Sequence, residues 1–353
     1  MDGIINGGPG PAAITLTRTT KLDTTQIVHE TGAAVQIEGD DGSVYLLREQ
    51  APGHYGTSDL NLDSTKRYRL RITAGTGKIY LSDFAGVNNN PPVDSISWKR
   101  ENGDGLQLYI NTHDPKNNTR YYQWKYDETW QIQSAYLSYL KYFVVLNSST
   151  NVYSVGYRDS VHFSYDPNII NCWQYYSSSN LILGSTAQLI EDFVNLPLAF
   201  IPHGDVRMSV LYSINVKQYS WTKKGYEFMQ RIKKNTESTG SVFDAQPSSS
   251  DGNIHCIADS TETVIGFFNI CTPREKRIFI RPADVLSWGY YTDCKQVELL
   301  NTSTEILVNG LDFLPLTAKV ISPAGKIITF LAAPRDCVDC TLRGDNKKPA
   351  YWP

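Results

Sequence analysis

Apolar and polar residues alternate along the first 84 residues of the chain. The segments AITLTR (13–18), VYLLRE (44–49) and RYRLRIT (67–73) carry apolar side chains at about every second position. This is the period of a strand that buries one face. Turn-forming Gly and Asp residues separate such segments at the spacing typical of a β-sandwich. The pattern predicts an immunoglobulin-like β-sandwich domain over residues 1–86.

A second strand-rich region follows the Asn- and Pro-rich segment AGVNNNPPVDS (85–95). We place a domain boundary here because adjacent prolines favour extended backbone and donate no ladder hydrogen bond. Strand patterns continue through residues 105–132. Residues 134–146 suit either a short helix or a strand, since periodicity does not separate the two. We therefore expect a larger β-rich C-terminal domain over residues 87–353, with one or two helices, in a mainly β protein.

The clearest helical pattern lies near residues 222–236. Either Ser220 or Thr222 is suited to cap its N-terminus. Its apolar side comprises Tyr226, Phe228, Met229 and Ile232. This pattern predicts an amphipathic helix that packs against the β structure.

Composition supports a sheet protein and excludes several classes of partner. The chain has 22 Tyr and 7 Trp but only 3 Met, and aromatic residues suit a pleated, half-buried surface. A net charge of −3, from 33 basic and 36 acidic residues, gives no general attraction to nucleic acid or to an anionic membrane. No stretch approaches the roughly 20 apolar residues of a membrane-spanning helix. We expect no nucleic-acid partner and no membrane-spanning helix.

The six cysteines are disulfide candidates: Cys172, Cys256, Cys271, Cys294, Cys337 and Cys340. An even number is compatible with three bridges, although the sequence does not choose the pairing. Cys337 and Cys340 alone have the spacing of a metal or redox pair, but they end a β-rich chain instead of starting a helix in a βαβ unit. We interpret them as parts of a disulfide staple formed in an oxidising compartment. Free thiols and a metal or redox site are the alternatives.

The sequence contains no recognisable catalytic or cofactor motif. Its histidines form no HExxH pair, and neither a nucleophile elbow nor a Walker loop is present. Asp59, Asn61 and Asp63 begin like a calcium loop but lack the later Gly and Glu ligand positions, so a solvated turn fits better. Asp127 and Glu128 point to opposite faces of a strand and do not flank one bond. We predict no enzymatic activity, no metal and no cofactor.

Aromatic residues beside polar ones are the candidates for a binding surface. Exposed Trp and Tyr side chains stack on sugars or anchor peptides. The candidates are Trp124, Trp130, Trp173, Tyr175 and Tyr176. Packing in a core is the alternative, because Tyr122, Trp124 and Tyr126 share one face of a predicted strand.

Several segments together resemble one protein family. They are GHYGTSDLNLDSTKRYRLRI (53–72), YYQWKYDETWQI (121–132), LYSINVKQYSWTKKGYEFMQRIKKNTESTGSVFDAQPSSSDGNIHC (211–256) and CVDCTLRGDNKKPAYW (337–352). The chain resembles the Bacteroidota outer-membrane lipoproteins known as domain of unknown function 4249, or DUF4249. The most specific parts are residues 239–256 and the tail with two cysteines.

The resemblance implies localisation and a type of partner. It implies export by a lipoprotein signal, acylation at a cysteine upstream of residue 1, and attachment to the outer membrane at the cell surface. It also implies a TonB-dependent outer-membrane receptor as partner, and it supplies no catalytic residues. The resulting hypothesis is a noncatalytic accessory of nutrient uptake that binds a glycan, a peptide or the transporter. A free-standing adhesin or glycan-binding module and an unrecognised hydrolase are the alternatives.

Overall fold

A computed structural model describes residues 4–18, 27–101, 105–147, 150–159, 164–237, 252–285, 288–310 and 312–353. Most of segment 239–256 and one of the six histidines, His162, therefore lie outside the described residues. The predicted mainly β fold is confirmed: many strands form several sheets, and the helices are few and short. Within these ranges no helix is long and apolar enough to span a membrane.

The strands up to residue 89 are β1 (Ile4–Asn6), β2 (Ala12–Thr15), β3 (Thr17–Arg18), β4 (Val28–His29), β5 (Ala34–Gly39), β6 (Val44–Ala51), β7 (His54–Thr57), β8 (Arg67–Thr73), β9 (Ile79–Ser82), β10 (Ala85–Gly86) and β11 (Asn88–Asn89). The strands that follow are β12 (Val93–Glu101), β13 (Gly105–His113), β14 (Tyr121–Gln133), β15 (Leu140–Asn147), β16 (Thr150–Tyr157), β17 (Asn171–Ser177), β18 (Ile182–Ser185), β19 (Phe193–Pro202), β20 (Leu211–Ser220), β21 (Ile254–Cys256), β22 (Asn269–Thr272), β23 (Arg274–Ile280), β24 (Val297–Leu300), β25 (Phe313–Ile321) and β26 (Ile327–Pro334).

The helices are α1 (Lys223–Glu237), α2 (Ser303–Glu305) and α3 (Arg335–Val338). Short 3-10 turns lie at Pro167–Ile169, Val206–Met208, Pro282–Asp284 and Cys340–Leu342, and a π-helical turn lies at Ile306–Gly310.

The N-terminal sheet has the strand order β2-β7-β6-β5-β8-β9-β21, and β10 pairs with β8. Neighbouring strands are antiparallel. The alternation in the sequence buries one face, on which Val35, Ile37, Leu70 and Ile72 share a core. The predicted strands are therefore confirmed, and the immunoglobulin-like arrangement remains a prediction.

Residues 254–272 return to this N-terminal region from far along the chain. Strand β21 pairs with β9, and β22 lies parallel to and between β1 and β11. Ile254, Phe268 and Ile270 are buried in the same core as the first strands. The division of the chain at residue 86 stays a prediction, but the N-terminal core includes these later residues.

Two sheets enclose the central core. One has the order β12-β13-β19, and the other has the order β17-β14-β20-β23, with β18 also paired to β14. Ile110 and Leu108 of the first sheet and Trp124 and Ile214 of the second are fully buried between them. We call the second sheet the central sheet. The candidate site lies on the face of this sheet that points away from the central core.

A third core lies in the C-terminal part. The hairpin β15–β16 and the sheet β24-β26-β25 share a core that includes Leu140, Ile306 and Phe330. The helix-or-strand ambiguity of residues 134–146 is therefore resolved in favour of a strand from Leu140 onward.

Helix α1 matches the predicted helix within one residue at each end. Thr222 is its cap, because its Oγ1 accepts a hydrogen bond from the Gly225 amide at 3.2 Å. The predicted apolar side packs against Trp221 and Phe267. The helix thus ties the end of β20 to the strands that return to the N-terminal region.

Two disulfide bonds hold the C-terminal tail. Cys172 bonds to Cys340 and Cys294 bonds to Cys337, with Cα–Cα distances of 5.7 and 5.8 Å. The two tail cysteines thus bond to distant partners, as the staple interpretation requires, and not to each other.

The remaining two disulfide candidates are not bridged in the structure. Cys256 and Cys271 are buried thiols, so the number of bridges is two and not the three that an even count permits. Burial raises the pKa of Cys271 to about 12, because a low-dielectric environment disfavours the thiolate. This thiol is therefore neutral and unreactive at physiological pH.

Candidate binding surface on the central sheet

Two of the predicted aromatic residues, Trp124 and Trp130, lie on strand β14. Its even-numbered side chains, which include Tyr122 and Trp124, face the central core. Trp124 is fully buried, and its Nε1 donates a hydrogen bond to Gln218 Oε1 at 2.9 Å. The structure therefore places this binding candidate in the core, and we correct its role to packing.

Trp130 and Trp173 also pack inside the protein. Trp130 is half-buried and packs against the central core. Trp173 is buried and meets the ring of Trp352 edge to face, with 6.3 Å between ring centroids. Their indole rings stabilise packing of the sheet and the tail and offer little area to a partner.

Tyr175 and Tyr176 are the two exposed candidates, with 53% and 43% of their surface accessible. They are neighbours on β17, so their side chains point to opposite faces of the sheet. Tyr175 lies opposite Thr129 on the outer face, whereas Tyr176 approaches the ring of Tyr126 on the core side. Of these two tyrosines, only Tyr175 therefore lies on the outer face of the central sheet.

The C-terminal tail folds back across this outer face. The Trp352 ring packs on Trp173, Leu211 and Phe279. The preceding residue, Tyr351, is exposed and its hydroxyl lies 2.8 Å from Thr129 Oγ1. The tail thus places a second tyrosine ring on the same face as Tyr175.

Arg277 completes the aromatic part of the surface. Its guanidinium carbon lies 3.8 Å from the centroid of the Tyr351 ring, which is cation–π geometry. One guanidinium nitrogen also donates to Ser213 Oγ at 3.2 Å. Arg277 and Tyr351 were not among the sequence candidates; the aromatic pair YW in an otherwise polar tail was the available signal.

Beside the tyrosines the sheet presents paired polar groups. Lys217 Nζ lies 2.8 Å from Asp127 Oδ2, and the Asn215 amide donates to Glu275 at 2.9 Å. Burial acts to raise the pKa of Asp127, but hydrogen bonds from Lys217 and Ser177 outweigh it and hold this pKa below its usual value. We name the set Tyr175, Tyr351, Arg277, Asp127 and Lys217 the tyrosine surface. Asn215 is buried and stands outside this set.

Burial and the nearby Tyr351 and Asp345 raise the pKa of Tyr175. Its phenol is therefore protonated at neutral pH and can donate a hydrogen bond. The tyrosine surface accordingly combines a planar apolar ring, a neutral hydroxyl and fixed charges of both signs.

A family model for the domain of unknown function DUF4249 matches residues 1–277. The chain belongs to the DUF4249 family. No curated protein matches the chain. In this DUF4249 protein the matched residues include the whole central sheet except the end of β23, and they end before Tyr351, Trp352 and the tail cysteines.

The described residues of the DUF4249 protein contain no group of three or more His, Cys, Asp or Glu side chains placed to hold a metal ion. The segment that resembles the start of a calcium loop is a turn, in which Asp63 Oδ1 accepts hydrogen bonds from the amide and the hydroxyl of Thr65. The tyrosine surface offers an exposed aromatic ring with hydrogen-bonding groups beside it, which are the groups that sites for sugars and peptides use.

Proposed function

We propose that this protein is a noncatalytic lipoprotein of the outer-membrane surface that binds the extracellular face of a TonB-dependent transporter and assists nutrient uptake. The observation that carries the proposal is the tyrosine surface, an exposed aromatic and charged patch on the outer face of the central sheet. The DUF4249 membership supports the same proposal through the localisation that the resemblance implies.

The disulfide bonds support export. Two cysteine pairs lie at bonding distance, and such bonds persist in oxidising environments such as the periplasm and the cell surface. In a reducing cytosol these four cysteines are expected to be thiols. The staples thus agree with a protein that functions outside the inner membrane.

The composition of the tyrosine surface supports protein binding. Tyr and Arg are the residue types that most often dominate the energy of interfaces, while neighbouring polar pairs exclude water and fix orientation. Tyr175 and Tyr351 are exposed, whereas Asp127, Lys217 and Arg277 are held by neighbours. A preordered patch of this kind loses little conformational entropy on binding.

Cross-linking in native outer membranes tests this proposal. The tagged full-length lipoprotein is cross-linked, purified in mild detergent and compared with a Tyr175→Ala variant. A Tyr291→Ala variant is the matched control, because Tyr291 is also exposed and lies outside the tyrosine surface. We expect a TonB-dependent receptor in stoichiometric amount with the wild type and the control, and its loss with Tyr175→Ala.

Two results would contradict the proposal. Recovery of the wild-type protein alone would refute a transport accessory, and equal receptor recovery with Tyr175→Ala would refute the role of the tyrosine surface. A free-standing glycan-binding module is the second candidate, favoured by the exposed Tyr175 ring on the same sheet face as the Asp127 carboxylate. Binding to a glycan array in the absence of any receptor, lost with Tyr175→Ala, would support it.

A further inference from the structure

A cavity of about 570 Å³ lies in the N-terminal region, away from the tyrosine surface. Its walls come from β3, from Glu30 just after β4, from β8 and β9, and from residues 254 and 262–265, which return to this region late in the chain. Cavities that hold small molecules have volumes of about 300–1,000 Å³. The space is therefore large enough for a small organic ligand.

The lining of the cavity separates into an apolar part and a charged part. The apolar part comprises Leu16, Ile72, Ala74, Ile254, Val264 and Ile265. The charged part comprises Arg18, Glu30, Lys78 and Glu262, with Tyr80 beside them. Thr17, Thr76 and Thr263 complete the lining, so both apolar and polar side chains face the space. Small-molecule sites likewise combine apolar surface with polar groups that orient the ligand.

The charged residues form two ion pairs. The Arg18 guanidinium contacts the Glu30 carboxylate, and Lys78 Nζ lies 2.8 Å from Glu262 Oε2. Glu262 also accepts a hydrogen bond from the Tyr80 hydroxyl at 2.9 Å. Hydrogen bonding to Lys78 is the largest cause that lowers the pKa of Glu262, so this carboxylate is ionised at neutral pH.

Within both pairs the cation is the more exposed member. Arg18 and Lys78 have 54% and 48% of their side-chain surface accessible, against 12% for Glu30 and 28% for Glu262. The positive group is therefore the member of each pair that an entering molecule reaches more easily. Both cations retain hydrogen-bond donors for an incoming anion, because a guanidinium has five and an ammonium has three.

We propose that this cavity binds a small amphipathic anion, an apolar body that carries one carboxylate or sulfonate. The body occupies the apolar part of the cavity, and the anionic group accepts hydrogen bonds from Lys78 and Arg18. This arrangement removes apolar ligand surface from water and keeps the ligand charge next to opposite charge. The site is independent of the partner proposed for the tyrosine surface.

Two fluorescent probes test the proposal with the full chain. 8-Anilinonaphthalene-1-sulfonate is an apolar aromatic anion, and N-phenyl-1-naphthylamine is its uncharged counterpart. We expect the wild type to bind the sulfonate about tenfold more tightly than the uncharged probe, since a hydrogen bond to a charged group contributes about that factor. Decanoate, an aliphatic carboxylate, should displace the sulfonate probe and raise the melting temperature.

Three variants locate the bound probe. Lys78→Gln should weaken binding of the sulfonate about tenfold and leave the uncharged probe unaffected. Ala74→Phe should weaken both probes, because it fills the apolar part. Lys99→Gln is the matched control, since Lys99 is exposed on β12 and does not line the cavity. Melting temperatures report whether each variant is folded.

The outcomes separate this site from the proposed function. Tyr175→Ala should leave the affinity for both probes unchanged. No displaceable binding by the wild type, or equal sulfonate affinity in Lys78→Gln and Lys99→Gln, would overturn the proposal. Unchanged binding in a folded Ala74→Phe variant would place the probe outside the cavity and would also overturn it.

Discussion

Removal of the Cys294–Cys337 bridge is expected to lower the free energy of unfolding by about 4 kcal/mol. The bridge closes a loop of 43 residues. In the chain-entropy account, a cross-link removes from the unfolded state an entropy that grows with the logarithm of loop length, and this loop gives about 4 kcal/mol at 25 °C. The perturbation is the double variant Cys294→Ala/Cys337→Ala.

The second bridge allows an internal comparison. Cys172 and Cys340 are 168 residues apart, but the first bridge shortens the covalent path between them. The path runs from Cys172 to Cys294, crosses to Cys337 and needs three more residues, so the effective loop has about 125 residues and closure contributes about 5 kcal/mol. Cys172→Ala/Cys340→Ala should therefore destabilise the protein by about 1 kcal/mol more than the first variant.

Urea unfolding followed by tryptophan fluorescence measures both losses. Trp173 and Trp352 pack together on the sheet that the second bridge fastens, so their emission reports on the tail. In each variant that lacks a bridge, the free energy of unfolding should also fall more steeply with urea concentration, because the unfolded chain exposes more surface. Cys256→Ala is the control: this cysteine is buried but unbridged, so the variant measures the loss of a sulfur atom alone.

Two results would refute this reasoning. A loss no larger than that of Cys256→Ala would show that the bridge does not restrict the unfolded chain. A larger loss from the 43-residue loop than from the longer one would show that native-state packing, and not chain entropy, determines the contribution.

Two further predictions concern local contacts. Gly225→Ala should lower the melting temperature although Ala is the better helix former, because its Cβ would lie 2.7 Å from the Trp221 ring and overpacking costs about 1–3 kcal/mol. Lys224→Ala, at an exposed position of the same helix, is the control. A melting temperature of Gly225→Ala at or above that of the wild type would show that the ring moves aside. Asp94→Asn should lower the pKa of His113, because a hydrogen bond to the Asp94 carboxylate at 2.7 Å raises this pKa in the wild type. An NMR titration that gives the same imidazole pKa in the variant would contradict this. Because the folded pKa lies above the unfolded value of about 6.5, the pair stabilises the wild type fully below that value, and this stabilisation is lost as pH rises through the folded pKa.

Local signals in the sequence predicted the elements well. Alternation predicted the N-terminal strands because one face of each is buried and the other is wet, as Val35 and Ile37 show. Thr222 and the apolar spacing after it predicted helix α1, since capping and periodicity act within one or two turns.

Long-range packing was not predictable from the same signals. The sequence pattern of an aromatic strand face is the same whether another sheet covers that face, as at Trp124, or solvent does, as at Tyr175. Trp173 is buried by packing against Trp352, which lies 179 positions later in the chain. The pairing of β1 with β22 and the cation–π contact of Arg277 with Tyr351 depend in the same way on residues far apart in sequence.

The return of residues 254–272 to the N-terminal core fixes the order in which the newly made chain can fold. Strand β22 completes a sheet between β1 and β11, yet about 180 residues separate β11 from β22. At about 5–20 residues per second, the ribosome needs roughly 10–40 s to supply them. During that interval the N-terminal strands lack the side chains of Phe268 and Ile270, which are fully buried in the finished core. The first part of the chain to be synthesised is therefore among the last to be completed, and a nascent chain stopped before residue 254 should expose apolar surface that a chaperone can bind.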